Sequence, residues 1–277
     1  MEFLEFSPAK LNLSLEVLGK RPDGYHNIRS LMIPLDFGDD VRIELEEGDR
    51  RILCECDDPL VPDGEANLAY KAARAFMDET GKNFDIEITI TKRIPVAAGL
   101  AGGSGNAAAV LRVLNRYTED MLDSGILDTL ALSVGSDVPF MLKGKPAWVE
   151  GRGEVVKPAS VPEHFVYLVI NPGFGVSTEW VYSNLALTTE KIERNIGYSI
   201  NKDIRLINDL EIPVFQRYPE VKEYKKRIVA SGASAALMSG SGPSLFGVFE
   251  SFEAAESLGC KLARVDRVSY FTARVAS

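Results

Sequence analysis

The stretch Ile94–Asn115 reads IPVAAGLAGGSGNAAAVLRVLN. A proline runs into glycines, then serine and asparagine, then an alanine-rich pattern of helical period. Small residues crowd positions 97–109, so almost no side chain is available to pack and the backbone can approach a ligand closely. The pattern predicts a helix over 104–117 whose first N–H groups, those of Ser104, Gly105 and Asn106, lack intrahelical partners. Together with the helix dipole they suit a phosphate. No lysine follows the glycines, so this is not the G-x-x-x-x-G-K-[ST] loop. The run Gly103–Ala108 also fits G-x-G-x-x-A, but the strand before it alternates and KRIPVAAGLA intervenes. The region about 20 residues further on, where a dinucleotide site needs an acid closing a strand, lies between helical patterns. The remaining competitor is a plain glycine turn before an ordinary packed helix.

Upstream of the loop the chain reads as strands. KLNLSLEV (10–17) alternates, which predicts Leu11, Leu13, Leu15 and Val17 on one face and Lys10, Asn12, Ser14 and Glu16 on the other. Turn residues fill GKRPDGYHN (19–27), strand patterns recur at 31–36, 39–47, 51–56 and 84–90, and 66–77 reads as a helix. Downstream, helical patterns cover 104–117 and 120–133 before a break at GSDVPF (135–140). Beyond WVEGRGE (148–154) come a buried strand in HFVYLVINPG (164–173) and a short helix after Ser177. A helix at 219–232, a glycine-turned hairpin at 233–250, a helix at 251–263 and a strand at 267–275 complete the chain. This order predicts an α+β protein of two lobes, 1–155 and 156–277, with the working cleft between them.

Composition bounds the function. The 277 residues are 45% hydrophobic and 26% charged, with 31 Lys plus Arg against 40 Asp plus Glu, a net charge of −9. An acidic total argues against a nucleic-acid partner, which needs a basic face, but leaves room for a small basic cleft. Cys54, Cys56 and Cys260 lack the His and Cys neighbours of a metal site, since the histidines are only His26 and His164, so free thiols are expected and no structural metal. The N-terminus has no leader pattern and no apolar run reaches membrane-spanning length, which predicts a cytoplasmic protein with no membrane partner.

Three stretches together say more than the loop alone. SPAKLNLSLEV, PVAAGLAGGSGNAA and MSGSGPSLFGVF resemble, in order, the three motifs of the galactokinase, homoserine kinase, mevalonate kinase and phosphomevalonate kinase superfamily. Within it, KRPDGYHNI, GSDVPF, EGRGE and PGFGVST look like the 4-diphosphocytidyl-2-C-methyl-D-erythritol kinases of the non-mevalonate isoprenoid pathway. The resemblance runs from Pro8 to about Phe249. It implies the two-lobed fold of that superfamily and transfer of the ATP γ-phosphoryl group, as Mg²⁺-ATP, to the C2 hydroxyl of the cytidylylated methylerythritol, with no tightly bound organic cofactor.

Residue by residue, the resemblance implies Asp137 as general base and Lys10 as its charge partner, a pairing that keeps a carboxylate ionised beside the acceptor oxygen. It places Pro95, Val96, Ala97, Ala98, Gly99, Leu100, Ala101, Gly102, Gly103, Ser104, Gly105 and Asn106 on ATP. It places Asn12, Tyr25, His26, Tyr182, Gly240, Ser241 and Gly242 on the acceptor, with Tyr25 and Tyr182 stacking the cytosine and His26 bonding its edge. Taken singly, each has a blander reading: Lys10 an exposed strand lysine, Asp137 a turn former, His26 a loop histidine, Tyr182 a packed helix residue, and Gly240–Gly242 a hairpin turn. One position departs from the family, whose loop usually carries two adjacent hydroxyls where this chain has Ser104-Gly105. The expectation is that nucleotide binding survives and that Gly105→Ser tightens it. Two other functions remain in view: a sibling kinase acting on another small alcohol, and a nucleotide-binding module without catalysis. The Tyr25–His26 pair separates the first from the cytidylyl kinase, and activity loss in Asp137→Asn separates the second.

Overall fold

The computed structural model describes residues 1–185, 198–200 and 204–276. The predicted run of strands becomes two long antiparallel ribbons, β1 (Glu2–Lys20) and β2 (His26–Glu47). The two patterns read at 31–36 and 39–47 are one strand, broken in register where Pro8 pairs with Gly38 and Lys10 already pairs with Pro34. That offset leaves Leu35 and Asp36 to pair with the C-terminal tail, through Asp36 N–H to the Arg274 carbonyl at 3.0 Å and Arg274 N–H to Asp36 Oδ1 at 2.7 Å.

A second offset matters more. Asn12 pairs with Met32 and Ser14 with Leu31, so Leu13 is an extra residue on β1. Such a bulge reverses which face the following side chains take. Leu11 and Leu13 therefore pack in one core cluster while Leu15 and Val17 pack in the other, with Met32 and Ile28. The single apolar face expected from strict alternation is thereby split.

β3 (Ile52–Cys56) and β4 (Phe84–Thr91) extend the sheet on the far side of β2, with helix α1 (Leu68–Thr80) between them, capped by the Asn67 side chain and closed by Gly81 at φ +69°. Helices α2 (Gly102–Tyr117), α3 (Ser124–Val134) and α4 (Val138–Lys143) follow. α3 starts later than the sequence pattern, because Glu119 and Asp120 both turn to φ +56° and Asp123 Oδ1 then accepts from the N–H groups of Gly125 and Ile126. The hairpin β5 (Ala147–Gly151) and β6 (Val155–Pro158) pairs back onto β2.

β7 (Val166–Asn171), fully buried, opens the second half and leads to α5 (Thr178–Ser183), capped by Ser177 as its sequence suggests. β8 (Tyr198–Ile200) and β9 (Ile204–Asn208) return to the first sheet, β9 running parallel to β1. Helices α6 (Glu211–Arg217) and α7 (Pro219–Ala230) precede the hairpin β10 (Ala235–Met238) and β11 (Leu245–Phe249), and α8 (Phe252–Asp266) leads to β12 (Ser269–Ala273). The order β10-β11-β7-β12 forms a second, four-stranded sheet, next to an eight-stranded one ordered β3-β4-β2-β1-β9-β8 with β5 and β6 alongside. The fold is the α+β arrangement expected. Among the described residues no helix is long and apolar enough to cross a membrane.

Candidate active site

A cleft of 1220 Å³ gathers the residues singled out in the sequence, except Gly105 and Gly242. Its floor is β1, which presents Lys10 and Asn12 and, because of the bulge at Leu13, Leu15 as well. The glycine loop forms one wall and the turn after β10 the other, and the two are bonded to each other and to β1. Lys10 N–H donates to the Leu100 carbonyl at 3.0 Å, Asn12 N–H to Ser239 Oγ at 3.3 Å, and Ser239 Oγ to the Gly99 carbonyl at 3.1 Å. A methyl group on Gly99 would run into the Ser239 carbonyl, and one on Gly240 would stand 3.1 Å from both the Gly99 carbonyl and Lys10 Nζ. Both glycines have positive φ, +76° and +56°. The close approach of three separate stretches is what requires them.

At this junction Lys10 Nζ lies 3.8 Å from Asp137 Oδ2 and donates to Asn12 Oδ1. Lys10 is 3% exposed and Asp137 33%, so the ammonium is held inside and the carboxylate faces the cleft. Asp137 sits at the start of α4 but makes no capping bond, which leaves its oxygens available. Burial pushes the Lys10 pKa below the ordinary lysine value, and the charge of Asp137 opposes that shift. Asn12 is fixed in turn, donating to Ser30 Oγ at 2.8 Å.

Of the loop residues 95–106, all but Gly105 line the cleft. α2 begins at Gly102, two residues earlier than its sequence pattern, and Gly105 N–H already donates to the Ala101 carbonyl at 2.8 Å. The N–H groups left at the helix start are those of Gly102, Gly103 and Ser104 rather than Ser104, Gly105 and Asn106. Gly105 instead faces β1, where a Cβ would meet Ser7 Oγ at 2.5 Å and the Pro8 carbonyl at 3.2 Å. Asn106 turns inward: with its amide oriented to satisfy its neighbours, it donates to Asp39 Oδ2, the Gly102 carbonyl and Ser7 Oγ at 3.1, 3.1 and 2.8 Å.

The sequence reading missed the group beneath the loop. Asp39, fully buried, accepts from the N–H groups of Arg93 and Ile94 at 2.8 Å each and pairs with Lys92 Nζ at 2.5 Å. Lys92 borders the cleft, and its Nζ stands 2.5 Å from where a Cβ of Gly102 would be. A lysine thus does lie against the first turn of α2, supplied from ahead of the loop. Asn208 and Glu211 were missed as well. Asn208 Nδ2 donates to the Met238 and Gly240 carbonyls at 2.8 Å, and Glu211 Oε1 accepts from Met238 N–H at 3.0 Å, so one short stretch fixes the whole turn 239–242. Gly240 and Ser241 line the cleft and Gly242 does not. The only sequence signal for Asn208 and Glu211 was their clustering in NDLE, which carries no chemistry by itself.

At the far end, Tyr25, His26 and Tyr182 come together. His26 stacks on Tyr182, with ring centroids 5.0 Å apart and planes at 27°, while Tyr25 is 49% exposed and lies beneath the Arg152 guanidinium. Burial, and then the nearby Lys20, lower the His26 pKa below its ordinary value, which keeps the ring neutral. Burial and the charge of Asp137 push the Tyr182 phenol well above the usual tyrosine range.

Comparison with known proteins places this geometry. The family models described as GHMP kinases N terminal domain and GHMP kinases C terminal match residues 67–145 and 189–267. The 4-diphosphocytidyl-2-C-methyl-D-erythritol kinase of Citrifermentans bemidjiense is 44% identical over 264 residues, 93% of each chain. That of Geobacter metallireducens is 43% identical over 254 residues, 90% of each. The crystal structure of a 4-(cytidine 5'-diphospho)-2C-methyl-D-erythritol kinase superposes with a TM-score of 0.78 at 32% identity, over 99% of this chain and all of that one. The homoserine kinase of Cytophaga hutchinsonii, at 19% identity and a TM-score of 0.71 over 99% and 94% of the two chains, shares the fold. The chain is a GHMP kinase and belongs to the family of 4-diphosphocytidyl-2-C-methyl-D-erythritol kinases.

Proposed function

We propose that this chain transfers the γ-phosphoryl group of ATP to the C2 hydroxyl of 4-(cytidine 5'-diphospho)-2-C-methyl-D-erythritol, a step of the non-mevalonate isoprenoid pathway. The observation that carries the reading is the Lys10–Asp137 pair, 3.8 Å apart, at the point where the glycine loop meets the turn containing Gly240. The acceptor oxygen approaches between the pair and the loop. Its proton passes to Asp137 as the oxygen-to-γ-phosphorus bond forms and the bond from that phosphorus to the bridging oxygen breaks, releasing ADP. Lys10, 3.8 Å from Asp137, places a positive charge beside it and steadies the developing negative charge on the acceptor oxygen.

The triphosphate lies along residues 95–104, its anionic oxygens facing the N–H groups of Gly102, Gly103 and Ser104 at the positive end of α2. Asn106, Asp39 and Lys92 support the loop from below rather than touching the reacting atoms. Among the described residues no group of three or more His, Cys, Asp or Glu is disposed to hold a metal ion. Mg²⁺ arrives with ATP, a mode that needs only one or two protein oxygens beside the phosphates, where it neutralises phosphate charge.

At the base end, Tyr25 and Tyr182 provide aromatic surface and neutral His26 a ring nitrogen for the cytosine edge. A division into lobes near residue 155 is supported by the four-stranded sheet, which lies wholly beyond it, although β6, β8 and β9 belong to the first sheet. ADP release with the cytidylylated acceptor, measured against mevalonate and homoserine in parallel, tests the reading; release with either of the latter alone would leave a sibling kinase.

A further inference from the structure

Between the base shelf and the reacting pair, the cleft is bordered by a cation that the phosphoryl transfer does not use. Arg152 stands at the turn of the β5–β6 hairpin, with its guanidinium carbon 4.9 Å from the centre of the Tyr25 ring. Two contacts fix that turn. Gly153, at φ +132°, is packed so closely on Ser136 that a Cβ would run into the Ser136 carbonyl, which ties the hairpin to the residue before Asp137. Glu154, two residues on from Arg152, accepts from the Arg152 N–H at 2.5 Å and pairs with Arg21 Nη1 at 3.4 Å, which ties the same turn to the loop that carries Tyr25. The turn therefore bridges the two ends of the acceptor site, and both Arg152 and Lys20 line the cleft there. Among the described residues neither cation has a carboxylate within ion-pair distance, although the protein as a whole carries a net charge of −9.

We infer that Arg152 binds the diphosphate of the acceptor and sets the preference for a nucleoside-diphosphate-linked alcohol over the free alcohol. The inference rests on the acceptor reading above. In that acceptor the base and the reacting hydroxyl are joined through a diphosphate, so a molecule with its base at Tyr25 and its hydroxyl at Asp137 passes its anionic section by Arg152. A guanidinium held over an aromatic ring, here with its carbon 4.9 Å from the ring centre, is restrained in place and can offer N–H groups to two phosphate oxygens at once, which an ammonium cannot match.

The test compares the wild-type chain with Arg152→Gln and Arg152→Lys, measuring KM for each substrate, kcat, and competitive inhibition against the acceptor by cytidine and by cytidine diphosphate. Losing a charge-assisted contact raises the acceptor KM of Arg152→Gln by about tenfold or more. Its ATP KM and kcat stay near wild type, and Arg152→Lys falls between. Cytidine diphosphate loses its advantage over cytidine in Arg152→Gln, while inhibition by cytidine itself is unchanged. An equal loss for cytidine would make Arg152 a prop for the Tyr25 shelf and overturn the inference, as would an acceptor KM unaltered in Arg152→Gln while the wild-type enzyme turns the acceptor over. Failure of the folded wild-type chain to turn over the cytidylylated acceptor would instead overturn the acceptor reading, and this inference with it.

Discussion

Gly240 is the residue that lets Lys10 occupy its place: a methyl group there would stand 3.1 Å from Lys10 Nζ and 3.3 Å from Asn12 Oδ1. The backbone at Gly240 is also left-handed, with φ +56°. An alanine would meet both obstacles, with the backbone alone costing about 1–2 kcal/mol. Gly240→Ala is expected to lower kcat by at least about tenfold, the equivalent of roughly 1.4 kcal/mol at the transition state. Steady-state kinetics beside a thermal melt will separate displacement of the Lys10–Asp137 pair from general loss of fold. A variant that melts early but keeps its kcat at low temperature would contradict this.

Asp137→Asn removes the proton acceptor and leaves the loop untouched. Turnover is expected to drop by about 10²–10⁴-fold, with affinity for a non-hydrolysable ATP analogue retained. The pH dependence follows from Lys10, whose pKa burial holds below 10.5. Activity requires its protonated form, so kcat falls as pH rises through that lowered value. For stability the sign reverses. The unfolded chain holds this proton more tightly, so between the folded pKa and 10.5 the Lys10 contribution makes stability rise with pH. In Lys10→Arg the residual rate should lose its alkaline limb.

The structure reverses one expectation taken from the sequence. A serine at position 105 was expected to add a hydroxyl for ATP, but Gly105 faces Ser7 Oγ and the Pro8 carbonyl, away from the cleft. Gly105→Ser is now predicted to leave the apparent ATP constant unimproved and to destabilise the chain by about 1–3 kcal/mol through overpacking. Ser7→Ala in the same chain should restore part of that loss. Denaturant melts of the single and double variants check it.

What could and could not be read in advance has physical reasons. The glycine loop and the elements around it were legible because glycine density, alternation and helical period are local properties, whereas the Lys10–Asp137 pair was implied only by the resemblance of SPAKLNLSLEV and GSDVPF to a known kinase family. The bulge at Leu13 was not, since KLNLSLEV alternates without a break and only the register against β2 reveals the extra residue. Its consequence is functional, because it brings Leu15 to the face of Lys10 and Asn12. Lys92, Asp39, Asn106 and Ser7 form one buried group from four distant parts of the chain, and no spacing rule joins them. Asn208 was silent for the same reason: its partners, the Met238 and Gly240 carbonyls, are backbone atoms.

His26 gives a test of the base end. Its ring is neutral at pH 7, because burial and Lys20 lower its pKa below 6.5. Acceptor affinity should be constant from neutral pH upward and weaken only as pH falls through that lowered value. His26→Ala should raise the acceptor KM by about tenfold, a typical cost of leaving a polar base edge unpaired, and leave the ATP KM unchanged. Equal effects on both constants would remove His26 from the base site.

The central claim is that this cleft moves the γ-phosphoryl group onto a hydroxyl of a cytidylylated alcohol. Phosphorus NMR of a reaction containing the purified chain, Mg²⁺-ATP and 4-(cytidine 5'-diphospho)-2-C-methyl-D-erythritol tests it most directly. The account predicts ADP and one new phosphomonoester signal in equal amounts, with the acceptor's diphosphate signals retained. ADP with free inorganic phosphate and no new ester, or an ester formed equally well on methylerythritol that lacks the cytidine diphosphate, would contradict it.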